Sequence, residues 1–135
     1  MYSGQCLCGA VKIEIHGAIR DIIHCHCSLC RKSSGTAYAT NGFVSSAEFS
    51  VIQGEELLKA FSLKQGRLRH FCSNCGSPVY SSSAADPSRI RIRLGILDSE
   101  ITERPISHNF VSSKASWDNL DAELPRYDGY EPSRS

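Results

Sequence analysis

The stretch CHCSLCRK, residues 25–32, places three cysteines within six residues. The chain has 135 residues and only seven cysteines, and the other four form two further short clusters. In chain order the clusters are Cys6-x-Cys8, Cys25-x-Cys27-x-x-Cys30 and Cys72-x-x-Cys75. Cysteines that were buried only as small apolar residues would be scattered along the strands. The clustering therefore favours a chemical role for the thiols.

Metal binding explains these clusters better than disulfide bonds do. Disulfides persist in oxidising compartments, and the N-terminal MYSGQCLCGAV has neither the basic start nor the apolar core of a secretion signal. The cysteine count is odd, so one thiol would be left without a disulfide partner. We therefore predict a cytoplasmic protein that binds metal through its cysteines.

The first and last clusters together can supply the four thiolates that tetrahedral zinc prefers. Cys6, Cys8, Cys72 and Cys75 would then form a closed structural site. Because the two pairs are far apart in the sequence, the ion would join distant parts of the chain and contribute directly to folding.

Subtracting those four residues leaves Cys25, Cys27 and Cys30. Three protein ligands with one open position form the usual arrangement of catalytic zinc. We predict such a site here, and we expect it to lose its metal more readily than the four-cysteine site. Two alternatives stay open, namely iron in place of zinc and a second structural site that a histidine completes. The candidate histidines are His24, His26, His70 and His108.

Most of the chain is typical of short β-strands that are separated by turns. VKIEIH (11–16) and RIRIRLGIL (89–97) alternate apolar and polar residues. Asn41-Gly42 is a strong turn pair, and residues 98–104 are the best candidate for a turn of helix. The sequence therefore predicts a mainly β fold.

The predicted domain spans residues 1–117, and a polar C-terminal tail follows over residues 118–135. Net charge is +1, so bulk attraction gives no reason to expect a nucleic-acid partner. No apolar run approaches the roughly 20 residues that cross a bilayer, so we expect no membrane partner. The oligomeric state is not predicted.

Three arginines, Arg89, Arg91 and Arg93, alternate along one predicted strand. Such a row is usually the solvated face of a sheet, and docking of a carboxylate-bearing peptide is the less favoured alternative. Arg31 and Lys32 directly follow the three-cysteine cluster. Cations at these positions would stabilise the net negative charge of a zinc ion with three thiolates.

Four motifs resemble those of the glutathione-dependent formaldehyde-activating enzyme family, which also contains centromere protein V. They are GQCLCGAV (4–11), CHCSLCRKSSG (25–35), FCSNCGSPVY (71–80) and SKASW (113–117). The resemblance implies a β-tent fold with small sheets that a structural zinc holds together. It also implies the division into a structural zinc on four cysteines and a catalytic zinc on three.

The activity that the resemblance implies is carbon–sulfur bond chemistry, either joining formaldehyde to glutathione or the reverse lyase step. The expected function is a zinc-dependent carbon–sulfur lyase-like enzyme. Its partner would be a small-molecule thiol or thiol adduct, with glutathione as a candidate. The first alternative is a non-enzymatic, zinc-stabilised binding module, and the second is a thiol redox or metal-handling protein.

Overall fold

Short β-strands dominate the computed structural model, which describes residues 1–134. One α-helix, α1, spans Ser28–Ser34. The strands are β1 Tyr2–Gln5, β2 Lys12–Ile15, β3 Arg20–Cys25, β4 Ala39–Ser45, β5 Phe49–Gln53, β6 Leu58–Phe61, β7 Arg67–Cys72, β8 Pro78–Ser83, β9 Arg89–Arg93 and β10 Ser107–Asn109. The prediction of a mainly β fold is confirmed.

The strands form two sheets. The small sheet has the order β1-β2-β5, and the large sheet has the order β10-β3-β4-β9-β8-β7-β6. Neighbouring strands are antiparallel, except that β10 runs parallel to β3. Alternation in β2 buries Ile13 and Ile15, which join Ile22, Val44 and Ile92 of the large sheet in one hydrophobic core.

The opposite face of the large sheet carries the second cysteine cluster and a row of arginines. Cys25 pairs with Ala39 on β4. Asn41 lies two residues further along β4, so its side chain is on the same face as that of Ala39. Asn41 pairs with Arg93 of β9, which places Arg93 on this face as well. One row of directly paired residues crosses four strands on this face: Arg69, Ser81, Arg91 and Phe43. We call this surface the arginine face.

The predicted turn at Asn41-Gly42 is wrong, because β4 runs straight through both residues. Gly42 serves a different purpose there. A Cβ atom on Gly42 would lie 2.4 Å from Cγ2 of Ile19, so the absence of a side chain lets the core pack against the strand.

The predicted helical turn at 98–104 is also wrong. The backbone N–H groups of Asp98 and Ser99 donate to the carbonyl of Ser3 in β1, so this segment pairs with another element instead of coiling on itself. The helix lies instead at α1, directly after Cys27.

Residues 118–134 contain turns but neither strand nor helix. Trp117, the last residue of the motif SKASW, is 72% exposed. The domain boundary after residue 117 stays a prediction. Within residues 1–134, no helix is long and apolar enough to cross a membrane.

Candidate metal centres

The first and third cysteine clusters come together at one end of the fold. Cys6 and Cys8 lie on the turn between β1 and β2, Cys72 ends β7, and Cys75 lies on the turn that leads to β8. All four sulfurs lie within 4.8 Å of one another. The Sγ atoms of Cys8 and Cys72 are 3.9 Å apart although 64 residues separate them in sequence.

A glycine conformation and a serine hydroxyl fix the turns that carry these thiols. Gly76, which follows Cys75, adopts a φ of 80°, a left-handed conformation that suits glycine. Ser77 links the two turns, because its Oγ accepts a hydrogen bond from the Leu7 N–H at 2.9 Å and lies 3.3 Å from Cys75 Sγ. Hydrogen bonds to the side chain and backbone of Ser77, together with smaller contributions from Cys8 and Cys72, outweigh burial and lower the pKa of Cys75 to about 5. This thiol is therefore suited to bind a cation as a thiolate.

The second cluster forms a separate group at the junction of β3 and α1. Cys25 ends β3, Cys27 is the N-cap of α1, and Cys30 lies in its first turn. Their three sulfurs also lie within 4.8 Å of one another. The Cys27 thiol accepts a hydrogen bond from the backbone N–H of Cys30 at 3.4 Å, so the helix start fixes its position.

The three thiols differ in their electrostatic environment. Burial raises the pKa of Cys25 to about 12. Burial acts in the same direction on Cys27, but hydrogen bonds from the backbone of Cys30 and from the neighbouring thiols outweigh it and lower the pKa of Cys27. A cation would have to stabilise the thiolate of Cys25 for all three sulfurs to bind as anions.

His24, His26 and His108 contact one another and other residues but do not join the thiols of the second cluster. His24 Nδ1 is 2.8 Å from Thr40 Oγ1, and the fully buried His26 places Nε2 at 2.9 Å from His108 Nδ1. The ring of Tyr38 packs against all three imidazoles. Among residues 1–134, no histidine or carboxylate joins the three-thiol group within the same 4.8 Å.

His70, the remaining candidate for a fourth ligand, is also engaged elsewhere. Its ring stacks on Tyr80 with centroids 4.1 Å apart, and its Nε2 lies 3.1 Å from Ser82 Oγ. The geometry therefore gives no support to a histidine that completes the three-thiol group.

Arg93 is the residue of this site that the sequence did not reveal, since Arg89, Arg91 and Arg93 look equivalent in the strand pattern. Its guanidinium donates to Asn41 Oδ1 at 2.9 Å and to Ser33 Oγ at 3.2 Å. Burial lowers the pKa of Arg93, whereas the charge of Cys30 and a hydrogen bond to it act in the opposite direction. Arg93 thus places a fixed cation beside the three thiols.

A cavity of about 470 Å³ opens beside α1. Leu29, the residue before Cys30, lines it together with Arg93, which connects the cavity to the three-thiol group. Its remaining wall is mainly apolar and consists of Phe61, Leu63, Phe71, Pro78 and Tyr80, with Lys32, Ser33, Arg69, His70 and Gly76 at other positions. We call this cavity the apolar cleft.

The family model described as "Glutathione-dependent formaldehyde-activating enzyme" matches residues 1–113. The chain belongs to this family. A similar curated protein of Halomonas elongata, named "Putative glutathione-dependent formaldehyde-activating enzyme", is 27% identical over 130 residues, which cover 90% of this chain and 82% of the relative. A crystal structure of a Rhodobacter sphaeroides protein has the same fold, with a TM-score of 0.65 at 23% identity, covering 78% of this chain and 98% of that one.

Both cysteine groups of this member of the glutathione-dependent formaldehyde-activating enzyme family could hold a metal ion. Thiolates are soft ligands that favour zinc, copper(I) or iron–sulfur clusters over magnesium or calcium. Four sulfurs match the closed tetrahedral sites of structural zinc, and three sulfurs match sites that bind a further ligand. The identity of the metal stays a prediction.

Proposed function

We propose that the protein is a zinc-dependent carbon–sulfur lyase-like enzyme that acts on a small thiol adduct such as S-hydroxymethylglutathione. The observation that carries this proposal is a group of three thiols beside a cleft, in a chain of this family. The thiol groups would need reducing conditions to stay free, so the proposed location is the cytoplasm. The enzyme domain would span residues 1–117.

The two thiol groups would have different tasks. Cys6, Cys8, Cys72 and Cys75 would hold a structural zinc ion and thereby fasten the small sheet to β7 and β8. The other three cysteines would hold a second, more labile ion. When bound there, zinc would supply a site at which the sulfur of the substrate is stabilised as a thiolate.

In the lyase direction the adduct would release formaldehyde and a thiol. The carbon–sulfur bond breaks and its electron pair goes to sulfur, while the hydroxyl group loses its proton and becomes the carbonyl of formaldehyde. The proton lost from the hydroxyl balances the one that the released thiolate takes up. The synthetic direction runs through the same bonds in reverse.

The residues of the chain would assist by charge balance and by excluding water. Three thiolates around a divalent ion carry a net charge of −1, which the guanidinium of Arg93 offsets. Phe71 and Pro78 form part of an apolar wall that would shield the reacting sulfur from bulk water. Arg93 would therefore be a positioning residue in this reaction.

Metal analysis combined with thiol titration tests the proposal. We expect two metal ions per chain. In the cobalt-substituted protein, added glutathione should change the visible absorption of one site only, because a fourth sulfur enters its coordination shell. Two sites that no small thiol perturbs would contradict the proposal.

Cys27→Ser separates an enzyme from a zinc-stabilised binding module. An enzyme should lose formaldehyde release from S-hydroxymethylglutathione while its circular dichroism spectrum stays the same. The matched variant Cys72→Ser alters the other group. If Cys27→Ser unfolds the protein as severely as Cys72→Ser does, the second group is structural and the binding module is the better description.

A further inference from the structure

A second cavity, of about 200 Å³, lies on the arginine face. Among residues 1–134, Asp86 is the one carboxylate that lines it, and Asp86 pairs with Arg89 at 2.6 Å. The four arginines that line the cavity are Arg67, Arg69, Arg89 and Arg91. We call it the arginine groove. Its lining carries three more positive charges than negative ones, so it favours an anionic ligand.

Two guanidinium groups of the groove are held by an aromatic ring before any ligand arrives. The guanidinium carbon of Arg89 lies 3.8 Å from the centroid of the Phe43 ring, and that of Arg91 lies 4.9 Å from it. A guanidinium over the face of an aromatic ring is attracted to that ring, which limits the conformations of both side chains. A ligand therefore loses less free energy to the ordering of these arginines than it would on freely moving surface cations.

Carboxylates fit this groove in shape as well as in charge. The planar fork of arginine binds a carboxylate through two parallel hydrogen bonds. A row of arginines that is only solvated needs no aromatic ring beneath it, whereas Arg89 and Arg91 share one. This stacking supports the docking of a carboxylate-bearing peptide, which the strand pattern alone left as the less favoured alternative.

The four arginines of the groove form two rows at different distances from the three-thiol group. In the inner row, Arg69 and Arg91 pair with the same residue of β8. In the outer row, Arg67 and Arg89 lie two residues further along β7 and β9, away from Arg93 and its thiol neighbours. Arg69 also lines the apolar cleft, so the groove and the cleft adjoin each other at the inner row.

The groove lies within the length of a tripeptide from the three-thiol group. Ala39 pairs with Cys25, and Phe43 lies four residues further along β4, a distance of about 13 Å at roughly 3.3 Å per residue. Arg91 pairs with Phe43 and covers part of this distance with its own side chain. Each arm of an extended tripeptide reaches roughly 7 Å from its central residue. A thiol on the central residue can therefore lie at the cysteines while the two arms lie in the groove.

The charged groups of glutathione correspond to those of the two rows. Glutathione has a carboxylate at its glycine end and another at its γ-glutamyl end, where an ammonium group is bonded to the same carbon atom. The ion pair of Asp86 and Arg89 matches the γ-glutamyl end with opposite charges. The oxygens of Asp86 accept hydrogen bonds from Ser88 Oγ and Arg89 Nε, both at 2.6 Å, and a carboxylate has lone pairs left for a further donor. The glycine arm is the shorter one and would lie at the inner row.

We propose that the arginine groove selects glutathione among small thiols. Arg67 and Arg89 bind the carboxylate of the γ-glutamyl end, and Asp86 binds its ammonium group. Arg69 and Arg91 bind the glycine carboxylate. This inference rests on the proposed function, because it places the sulfur of the same ligand at the three-thiol group. It assigns specificity to residues that take no part in the chemistry at the cysteines.

Calorimetric titration of the zinc-loaded protein with glutathione and its ethyl esters tests the inference. The monoethyl ester blocks the glycine carboxylate, and the diethyl ester blocks both carboxylates. We expect each blocked carboxylate to weaken binding about tenfold, since a hydrogen bond to a charged group is worth enough for such a factor. Equal affinities for glutathione and its diethyl ester would overturn the inference.

Two charge-removing variants assign the ends of the ligand. Arg91→Gln should weaken glutathione binding about tenfold and leave binding of the monoethyl ester nearly unchanged, because the ester has already lost the partner of Arg91. Arg67→Gln should weaken both ligands about tenfold, because both keep the γ-glutamyl carboxylate. Arg126→Gln, a matched change at an exposed residue that lines neither cavity, should alter neither. Glutathione binding that is insensitive to both groove variants would contradict the assignment.

N-acetylglutathione, which lacks the ammonium group, tests the role of Asp86. Asp86→Asn should weaken binding of glutathione about tenfold more than binding of this analogue, because only glutathione has a cation for the carboxylate to bind. Equal effects on the two ligands would show that Asp86 does not bind the ammonium group and would contradict this part of the assignment.

The cobalt-substituted protein distinguishes failure of this inference from failure of the proposed function. If glutathione and its diethyl ester change the absorption of the three-thiol site at equal concentrations, the function stands and the inference is wrong. If glutathione binds with the expected dependence on its carboxylates but changes no absorption, the proposed function fails while the groove stands as a binding site. If no thiol binds, both fail. A short oligonucleotide that binds more tightly than glutathione would make the groove a nucleic-acid surface and would also overturn the inference.

Discussion

The two cysteine groups contain the same donor atom but are built in different ways. The four-thiol group joins turns from both sheets, and Cys8 and Cys72 meet across 64 residues of sequence. The three-thiol group is local, since Cys25, Cys27 and Cys30 belong to one strand end and the helix that follows. A long-range group can hold the fold together, whereas a local group leaves the fold largely independent of its contents.

Loss of one ligand from the long-range group should have the largest effect. A structural zinc site contributes on the order of 10 kcal/mol at neutral pH, which is comparable with the whole stability of a domain. We therefore expect Cys72→Ser to abolish the cooperative thermal transition that circular dichroism follows. Cys27→Ser is the control and should keep that transition. Similar melting of both variants would remove the distinction between the groups.

Stepwise chelation should remove the metal ions from the two groups in a fixed order. We expect the first metal ion to leave from the three-thiol group without a change in circular dichroism, and the second to leave together with unfolding. The reason is that only the second ion closes a long loop of the chain. Metal release and ellipticity, recorded in the same titration, check this order. Release of both ions in one step with unfolding would contradict it.

Removal of the positive charge of Arg93 should weaken metal binding by the three-thiol group only. Arg93→Gln should lower the metal affinity of the three-thiol group about tenfold, because a nearby positive charge no longer offsets the thiolates. Competition with a chromogenic chelator measures this affinity. Arg93→Lys keeps the charge and should restore most of it. Equal weakening by both variants would show that the geometry of Arg93 matters rather than its charge.

The smallest effect is expected from the hydroxyl that links the two turns of the long-range group. Ser77→Ala removes the acceptor for the Leu7 N–H and the hydrogen bond that lowers the pKa of Cys75. We expect a loss of about 1 kcal/mol in the free energy of unfolding, which urea denaturation can measure. A loss as large as that from Cys72→Ser would mean that Ser77, rather than metal, holds the turns together.

The sequence revealed the cysteine clusters because metal chemistry constrains spacing directly. Closely spaced cysteines have few roles in proteins, so the three clusters could be interpreted as metal ligands without knowledge of the fold. Alternation of apolar residues likewise predicted β2 and β9, whose isoleucines are buried. Three of the four family motifs contain these cysteine clusters, which is why the family could be predicted from the sequence.

Features that depend on tertiary contacts were not predictable. Asn41-Gly42 has the chemistry of a turn, but close approach of Ile19 requires a glycine within β4. Helix α1 has only seven residues, too few to show a helical period. Arg93 resembles Arg89 and Arg91 in the strand pattern, and only the positions of Asn41 and Ser33 make it different.

The distance in sequence between Cys8 and Cys72 has a consequence for synthesis of the protein. A ribosome adds residues at about 5–20 per second, so Cys6 and Cys8 are exposed for several seconds before their partners exist. During that interval Cys25 and Cys27 are the nearest thiols, and together the two C-x-C pairs could capture an ion in a non-native arrangement. Correct maturation therefore requires either that metal arrives late or that such an early complex exchanges its ligands once Cys72 and Cys75 emerge.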